Sequence, residues 1–166
     1  MKTMKKTILK NVVLCVVGGL SYGIIELIYR QKTYYLMILC GAIAIILLDK
    51  INDYISWDMD ILLQGCIGSL IITCMEFTIG NLYLMGIVPK MWDYSNVWLN
   101  YKGIICLPFS LIWILLSICA ILLADTINYY VFHELPVPYY KLFGKTIIRF
   151  KNHSGAYFCT DKDTTD

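Results

Sequence analysis

Charged residues are scarce in this chain of 166 residues: only 16% are Asp, Glu, Lys or Arg. Soluble domains carry about 25% charged residues. With 58% hydrophobic residues and a mean hydropathy of +0.64, the chain has too little polar surface to cover a soluble globule. This shortage excludes a soluble enzyme, a disordered tail and a nucleic-acid module. The net charge of +2 is also too small to favour a polyanionic partner, so we expect no bound nucleic acid.

Motifs for catalysis and metal binding are also missing. Both histidines, His133 and His153, lie near the C-terminus, so no Ser–His–Asp or Cys–His arrangement can be argued. No phosphate-loop motif G-x-x-x-x-G-K-[ST] occurs, and His133–Glu134 is not followed by the second His of a zinc protease helix. Seven cysteines form no CxxC pair, and six lie in apolar stretches where Cys acts as a small hydrophobe. We therefore expect no enzyme activity, no cofactor and no metal.

Long apolar stretches are what the chain does contain. A transmembrane helix needs about 20 mainly apolar residues. Four stretches qualify, and they predict helices near residues 8–29, 34–48 with an extension to 54, 59–85, and 103–124 with an extension to 133. The start of the first carries Lys2, Lys5, Lys6 and Lys10, but no cleavage site closes the apolar stretch, so we expect an uncleaved helix rather than a signal peptide. The prediction is an all-α integral membrane protein with about four transmembrane helices in a bundle. Residues 1–135 would form this domain, and residues 136–166 a basic and aromatic cytoplasmic tail.

Lysine and arginine counts predict the orientation in the membrane. Ten of the fourteen basic residues fall in the N-terminal segment, the Lys50 turn and the tail, against four in the other two connections. Cytoplasmic loops of membrane proteins carry the excess of Lys and Arg. Both termini are therefore predicted to lie in the cytoplasm of a multi-pass protein of the bacterial cytoplasmic membrane.

Two segments outside the helices are rich in aromatic residues. The connection GIVPKMWDYSNVWLNYK, residues 86–102, has few charges, and Trp and Tyr favour the membrane interface. We expect an interfacial aromatic loop on the outer surface before the last helix. In the tail, Pro136 and Pro138 should end the fourth helix. The stretch YYKLFGKTIIRFK is basic and aromatic and suits anionic lipid headgroups, so membrane lipids are an expected partner.

Two carboxyl groups fall inside the predicted spans, where each ionisable group costs roughly 2.5–3.5 kcal/mol at mid-helix. Glu26 shares a helix face with Gly19 and Gly23, and Glu76 lies in a stripe of small and polar residues. That stripe falls within about 80° of helical rotation and comprises Gly65, Ser69, Thr73, Glu76 and Gly80.

Two interpretations of these carboxyls are open. In one, Glu26 and Glu76 face a small cavity below the WDYSN segment at similar depth and bind a cation or polar substrate, or carry a proton. The fourth helix would add one side of a polar seam between the helices, with Asp125 near its cytoplasmic end, through Ser110, Ser117, Asp125 and Asn128. In the other, Glu26 pairs with Arg30 at i+4 and both reach the headgroups, while Glu76 hydrogen-bonds within the bundle. The four acids Asp49, Asp53, Asp58 and Asp60 are expected to be solvated turn residues rather than a cation site.

Several segments together resemble a known family. They are VPKMWDYSNVWLNYKGIICLPFSLIWILLSICAILLADTINYYVF, YGIIELIYRQKTYYLMILCG, WDMDILLQGCIGSLIITCMEFTIG and LPVPYYKLFG. The chain resembles the Putative ABC-transporter type IV family of bacterial membrane proteins over nearly its whole length. The resemblance implies a permease-like membrane subunit of about four helices. The positions that match the polar residues of the family pattern are Glu26, Arg30, Gln64, Glu76, Trp92, Asp93, Tyr94 and Ser95.

Three functional hypotheses follow. A transport subunit of four crossings encloses little space, so it would form a homo-oligomer or join another membrane subunit, together with a separate ATPase. A non-transporting module for binding, assembly or envelope stress would use the WDYSN segment to recognise a partner or headgroup. An intramembrane enzyme is disfavoured because no nucleophile or metal set is evident. The hypothetical site for a substrate or ion comprises Glu26, Arg30, Gln64, Ser69, Glu76, Trp92, Asp93, Tyr94 and Ser95.

Overall fold

The computed structural model describes residues 2–134 and 136–151. Its helices are α1 (Lys2–Arg30), α2 (Tyr35–Asp49), the short α3 (Ile51–Tyr54), α4 (Ile61–Leu84) and α5 (Leu107–Tyr130). Four helical spans in these ranges are long and apolar enough to cross a membrane, with α2 and α3 forming one of them. The chain is mostly helical, and its described part contains no closed sheet. The predicted helical membrane protein with four spans is confirmed.

Local sequence explains where the helices begin. Asp60 caps α4, because its carboxylate accepts a hydrogen bond from the Leu62 backbone N–H at 2.9 Å. Pro108 occupies the first turn of α5, where its missing N–H costs no helical hydrogen bond. This helix begins at Leu107, four residues after the predicted start at Gly103, because the intervening residues belong to a hairpin.

The long helices alternate in direction and define two ends of the bundle. At the terminal end, where α1 begins and α5 ends, Lys10 and Asp49 form an ion pair. At the opposite end, here named the loop end, Arg30 at the end of α1 donates a hydrogen bond to the Met91 carbonyl in the α4–α5 connection. The lysine and arginine pattern predicts that the terminal end is cytoplasmic. That assignment stays a prediction.

The helices associate as two close pairs. α1 packs mainly on α2 and α4 mainly on α5, while α2 also contacts α5 and so connects the pairs. The largest buried apolar cluster lies toward the terminal end and comprises Leu48, Ile51, Ile61, Ile121 and Tyr140. Many other apolar side chains point outward, including Leu20, Ile24, Leu70 and Leu115. Outward apolar side chains along long helices suit a lipid environment.

Two small hairpins were not predicted. Strands β1 (Asn100–Tyr101) and β2 (Ile105–Cys106) pair in the α4–α5 connection, and β3 (Tyr139–Leu142) pairs with β4 (Lys145–Arg149). The second hairpin lies at the terminal end, where Tyr140 is fully buried in the main apolar cluster. The division of the chain at residue 135 stays a prediction, and residues 152–166 of the predicted tail lie outside the described part.

Candidate functional site

The aromatic segment, defined as residues 86–106, folds over the loop end. Three hydrogen bonds fix its position, one each from Trp92, Tyr94 and Arg30. The Trp92 indole N–H donates to the Ile104 carbonyl at 2.8 Å, which closes the segment on itself. Tyr94 is buried, and its hydroxyl donates to Glu76 Oε1 at 2.8 Å. Arg30 Nη2 donates to the Met91 carbonyl at 2.5 Å. The segment is therefore tied to both α1 and α4.

Glu26 is buried although its charge lies in an apolar span. Its carboxylate accepts hydrogen bonds from Arg30 Nη1 at 2.9 Å and from Thr33 Oγ1 at 3.3 Å. The i,i+4 pair expected from the sequence therefore forms. Because Glu26 is only 5% exposed and Arg30 also reaches Met91, the pair serves as a link between α1 and the aromatic segment.

Glu76 is also buried, and only one of its carboxylate oxygens is satisfied by the described residues. Oε1 accepts from Tyr94, whereas Oε2 has no hydrogen-bond partner among them. The Trp113 indole N–H lies close enough to the Glu76 carboxyl to interact with it, although not in regular hydrogen-bond geometry. Both side chains line a cavity of about 60 Å³ in the centre of the bundle, here named the inner cavity. Tyr94 and Trp113 therefore both present donors to this buried carboxyl group.

A larger space of about 400 Å³, here named the lateral cavity, lies between α1 and α5 under the aromatic segment. Tyr22, Met37, Trp92 and Trp113 line both cavities, so the two are neighbours. The lateral cavity has a mainly apolar wall from α1 and α5, with Glu26, Arg30 and Asp93 as its charged residues. The remaining wall consists of Ile25, Tyr29, Tyr94, Val97, Phe109, Ile112 and Leu116.

Asp93 and Ser95 lie on the exposed surface of the aromatic segment. Asp93 accepts hydrogen bonds from the Lys90 ammonium and from the Ser95 backbone N–H and hydroxyl. The Lys90 contact, and then those from Ser95, hold the pKa of Asp93 well below its usual range. Burial, followed by the neighbouring Glu76 carboxyl, raises the pKa of Tyr94. Tyr94 is therefore a neutral phenol that can donate its proton to Glu76 in a hydrogen bond.

Two candidate residues from the sequence lie elsewhere. Gln64 is fully buried near the start of α4 and donates to the Met59 carbonyl at 3.1 Å. The Ser69 hydroxyl donates to the Ser110 carbonyl at 2.5 Å and so joins α4 to α5. Neither residue lines the inner or the lateral cavity. The structure brings the other seven candidates together at the loop end.

A second polar cluster, at the terminal end, went largely unrecognised in the sequence. Asp49 was expected to be a solvated turn acid, and this is wrong, because its side chain is only 1% exposed. The buried carboxylate forms an ion pair with Lys10 and accepts a hydrogen bond from Asn128. Tyr140 donates to Asp125 at 2.6 Å from the second hairpin. The i,i+3 spacing of Asp125 and Asn128 on α5 was the available signal.

Four helices that are long and apolar enough to cross a membrane define a multi-pass membrane protein. Comparison with protein families agrees, since the family described as Putative ABC-transporter type IV matches residues 5–150. The chain belongs to this family, as the sequence resemblance indicated. No curated protein and no solved structure matches the chain in the corresponding comparisons.

Proposed function

We propose that the protein is a permease-like membrane subunit that binds an amphipathic ligand in the lateral cavity. The observation that carries the proposal is the combination, in one space of about 400 Å³, of an apolar wall with an ion pair between the buried Glu26 and the half-buried Arg30. Binding cavities for small molecules are typically about 300–1,000 Å³, mostly apolar, with a few placed polar groups. The family name supports the assignment to transport, and the site supports binding rather than catalysis.

The location of the cavity favours a ligand that enters from the membrane. Its walls come from α1 and α5, which contact each other much less than either contacts its main partner helix. Ile112 on α5 lines the cavity and is 48% exposed on the outside of the bundle. An apolar tail could pass between α1 and α5, while a polar group reaches Glu26 and Arg30.

Close packing in the middle of the bundle favours a role within a larger assembly. A methyl group on Gly68 of α4 would lie 2.6 Å from Ser117 Cβ of α5, so no room remains between these helices there. Passage across the membrane through a single chain would have to disrupt this contact. We therefore propose that the protein works as a homo-oligomer or with another membrane subunit, in the bacterial cytoplasmic membrane. A separate ATPase would supply energy, because the sequence has no phosphate-loop motif.

One observation favours the alternative of a non-transporting binding module. Trp98 is 68% exposed and Lys90 and Asp93 also lie at the surface of the aromatic segment. This surface suits recognition of a partner or a lipid headgroup outside the cavity. The alternative predicts no associated ATPase.

Photo-crosslinking in the native membrane tests the proposed cavity. Benzoylphenylalanine would replace Leu116, which lines the lateral cavity, and in a matched variant Leu115, which is 64% exposed and does not line it. After irradiation, the crosslinked small molecules would be identified by mass spectrometry. We expect position 116 to capture one discrete amphipathic species and position 115 a mixture of bulk lipids. The same mixture at both positions, or no product at 116, would contradict the proposal.

Charge removal at the cavity sharpens this test. Glu26→Gln is expected to lower the yield of the specific product at position 116 about tenfold, since hydrogen bonds to charged groups contribute about 1.5–3 kcal/mol. Asp58→Asn removes the same charge from an exposed residue at the terminal end, where it should leave the yield unchanged. An unchanged yield in Glu26→Gln would remove this carboxylate from the site.

A further inference from the structure

The second hairpin, which consists of β3, β4 and the turn between them, is fixed to the start of α4. Lys141 and Tyr139 donate to the Asp58 carboxylate at 2.6 Å and 2.9 Å. The Phe143 backbone N–H donates to the carboxylate of Asp60, the residue that also caps α4. Both acids precede the first residue of α4. The turn of the hairpin therefore lies at the level where α4 enters its apolar span, at the membrane surface of the terminal end.

The turn of the hairpin places a bulky apolar residue in a backbone conformation that disfavours it. The two residues of the turn, Phe143 and Gly144, have φ angles of 50° and 77°, and Leu142 pairs with Lys145 on either side of them. Turns with positive φ at both positions prefer Asn-Gly or Asp-Gly, because a bulky side chain is strained there. The Phe143 side chain is nevertheless 81% exposed. A strained and exposed phenylalanine indicates contact with an apolar surface outside the chain.

The charge of the hairpin indicates the nature of that surface. Residues 136–151 contain four basic and no acidic residues. Lys141 is paired with an acid, whereas Lys145 and Arg149 on β4 are exposed and form no ion pair with another described residue. Ile147, between them, is 51% exposed. Basic and apolar side chains on one exposed strand match a leaflet of anionic phospholipid, to which each Lys or Arg strengthens attachment about fivefold.

We propose that the second hairpin anchors the terminal end to anionic phospholipids of the adjoining leaflet. In this anchor the Phe143 ring inserts among the acyl chains, and Lys145 and Arg149 contact the phosphates. The composition of the tail predicts contact with lipid in general, whereas the proposed anchor is confined to one turn and two basic side chains and selects for headgroup charge. Because Asp60 joins the turn to α4, bound lipid also stabilises the start of that helix. Such an anchor would serve a transport subunit and a binding module equally.

Photo-crosslinking of the full-length protein in vesicles of phosphatidylcholine and phosphatidylglycerol tests the anchor. Benzoylphenylalanine would replace Phe143 and, in a matched variant, Leu115, which faces outward from α5. Mass spectrometry would give the ratio of phosphatidylglycerol to phosphatidylcholine among the adducts. We expect this ratio to be at least several-fold higher at position 143 than at position 115. Equal ratios, no phospholipid adduct at position 143, or adducts there to protein alone in native membranes would overturn the proposal.

Charge removal locates the selectivity for anionic lipid. Lys145→Gln combined with Arg149→Gln should bring the ratio at position 143 close to the ratio at position 115. Lys32→Gln combined with Lys102→Gln removes the same charge from exposed residues at the loop end, so it should leave the ratio at position 143 unchanged. An undiminished ratio in the hairpin variant would overturn the assignment of the phosphate contacts.

Phe143→Asn separates anchoring from folding. Asn tolerates positive φ better than Phe, so the hairpin should form at least as readily. Amide hydrogen exchange of residues 142–149 would be measured in nanodiscs of phosphatidylcholine with and without phosphatidylglycerol. We expect phosphatidylglycerol to slow this exchange in the wild-type protein, and Phe143→Asn to reduce the slowing several-fold. No slowing in the wild-type protein, or an equal slowing in the variant, would contradict insertion of the ring.

Discussion

Arg30→Gln is expected to destabilise the folded protein by about 3 kcal/mol, one of the largest effects among single substitutions of polar residues. Breaking a buried ion pair by removing one partner leaves the other charge uncompensated. Arg30 is the cation that pairs with the buried Glu26, and it also donates to the Met91 carbonyl. The substitution therefore weakens both the pair and the attachment of the aromatic segment. Equilibrium unfolding in mixed micelles would measure the loss.

A double variant separates the lost charge balance from the lost packing. Glu26→Gln combined with Arg30→Gln removes both charges, so it should recover a substantial part of the stability lost in Arg30→Gln alone. Lys32→Gln removes a positive charge from an exposed residue two positions away and should change stability by less than about 0.5 kcal/mol. Equal losses in Arg30→Gln and Lys32→Gln would show that the buried pair is unimportant for folding.

Gly41→Ala is expected to cost more than about 3 kcal/mol, although Ala is intrinsically the better helix former by roughly 1 kcal/mol. A methyl group at position 41 would lie 2.5 Å from Tyr22 Cβ and 2.9 Å from the Gly18 carbonyl oxygen. These atoms belong to or adjoin the backbone of α1 and cannot rotate away. The helices α1 and α2 would have to separate, and overpacking of this kind typically costs 1–3 kcal/mol or more.

Gly23→Ala is the matched control on the same helix pair. Its new methyl group would lie 3.3 Å from Ile38 Cγ1, which belongs to a flexible side chain. A small rotation of Ile38 can relieve this contact, so we expect a change within about 1 kcal/mol. Because Tyr22 lines both the inner and lateral cavities, Gly41→Ala should also reduce the specific crosslink at position 116. Similar stabilities of the two variants would contradict the close approach of α1 and α2 at Gly41.

The helices could be predicted from the sequence because each span depends on local composition. Four apolar stretches of sufficient length specify four spans whatever the rest of the chain does. The Glu26–Arg30 pair was equally accessible, since i,i+4 spacing places two residues on one helix face. For Glu76, the sequence suggested a cavity below the aromatic segment but not the hydrogen bond that Tyr94 donates to it. The particular partner depends on how residues 86–106 fold.

The terminal cluster shows why the remaining features could not be predicted. Asp49 lies at a helix end, and such positions are usually solvated; its burial depends on Lys10 and Asn128, which are far away in the chain. The second hairpin presents a similar case. Its strand β4 is exposed throughout and carries no alternating apolar pattern, whereas Tyr140 is anchored by Asp125 of α5. Periodicity within one segment contains no information about such contacts.

Affinity purification of the tagged full-length protein from its native membrane in mild detergent, with mass spectrometry of the recovered partners, tests the central claim most directly. A permease-like subunit needs a motor that this chain does not encode, so the account predicts recovery of an ATPase in stoichiometric amount. The ATPase should be absent from a mock purification of untagged cells, which would show that its recovery depends on the tagged protein. Recovery of the protein alone, or with envelope proteins and no ATPase, would contradict the transport assignment and leave a binding module.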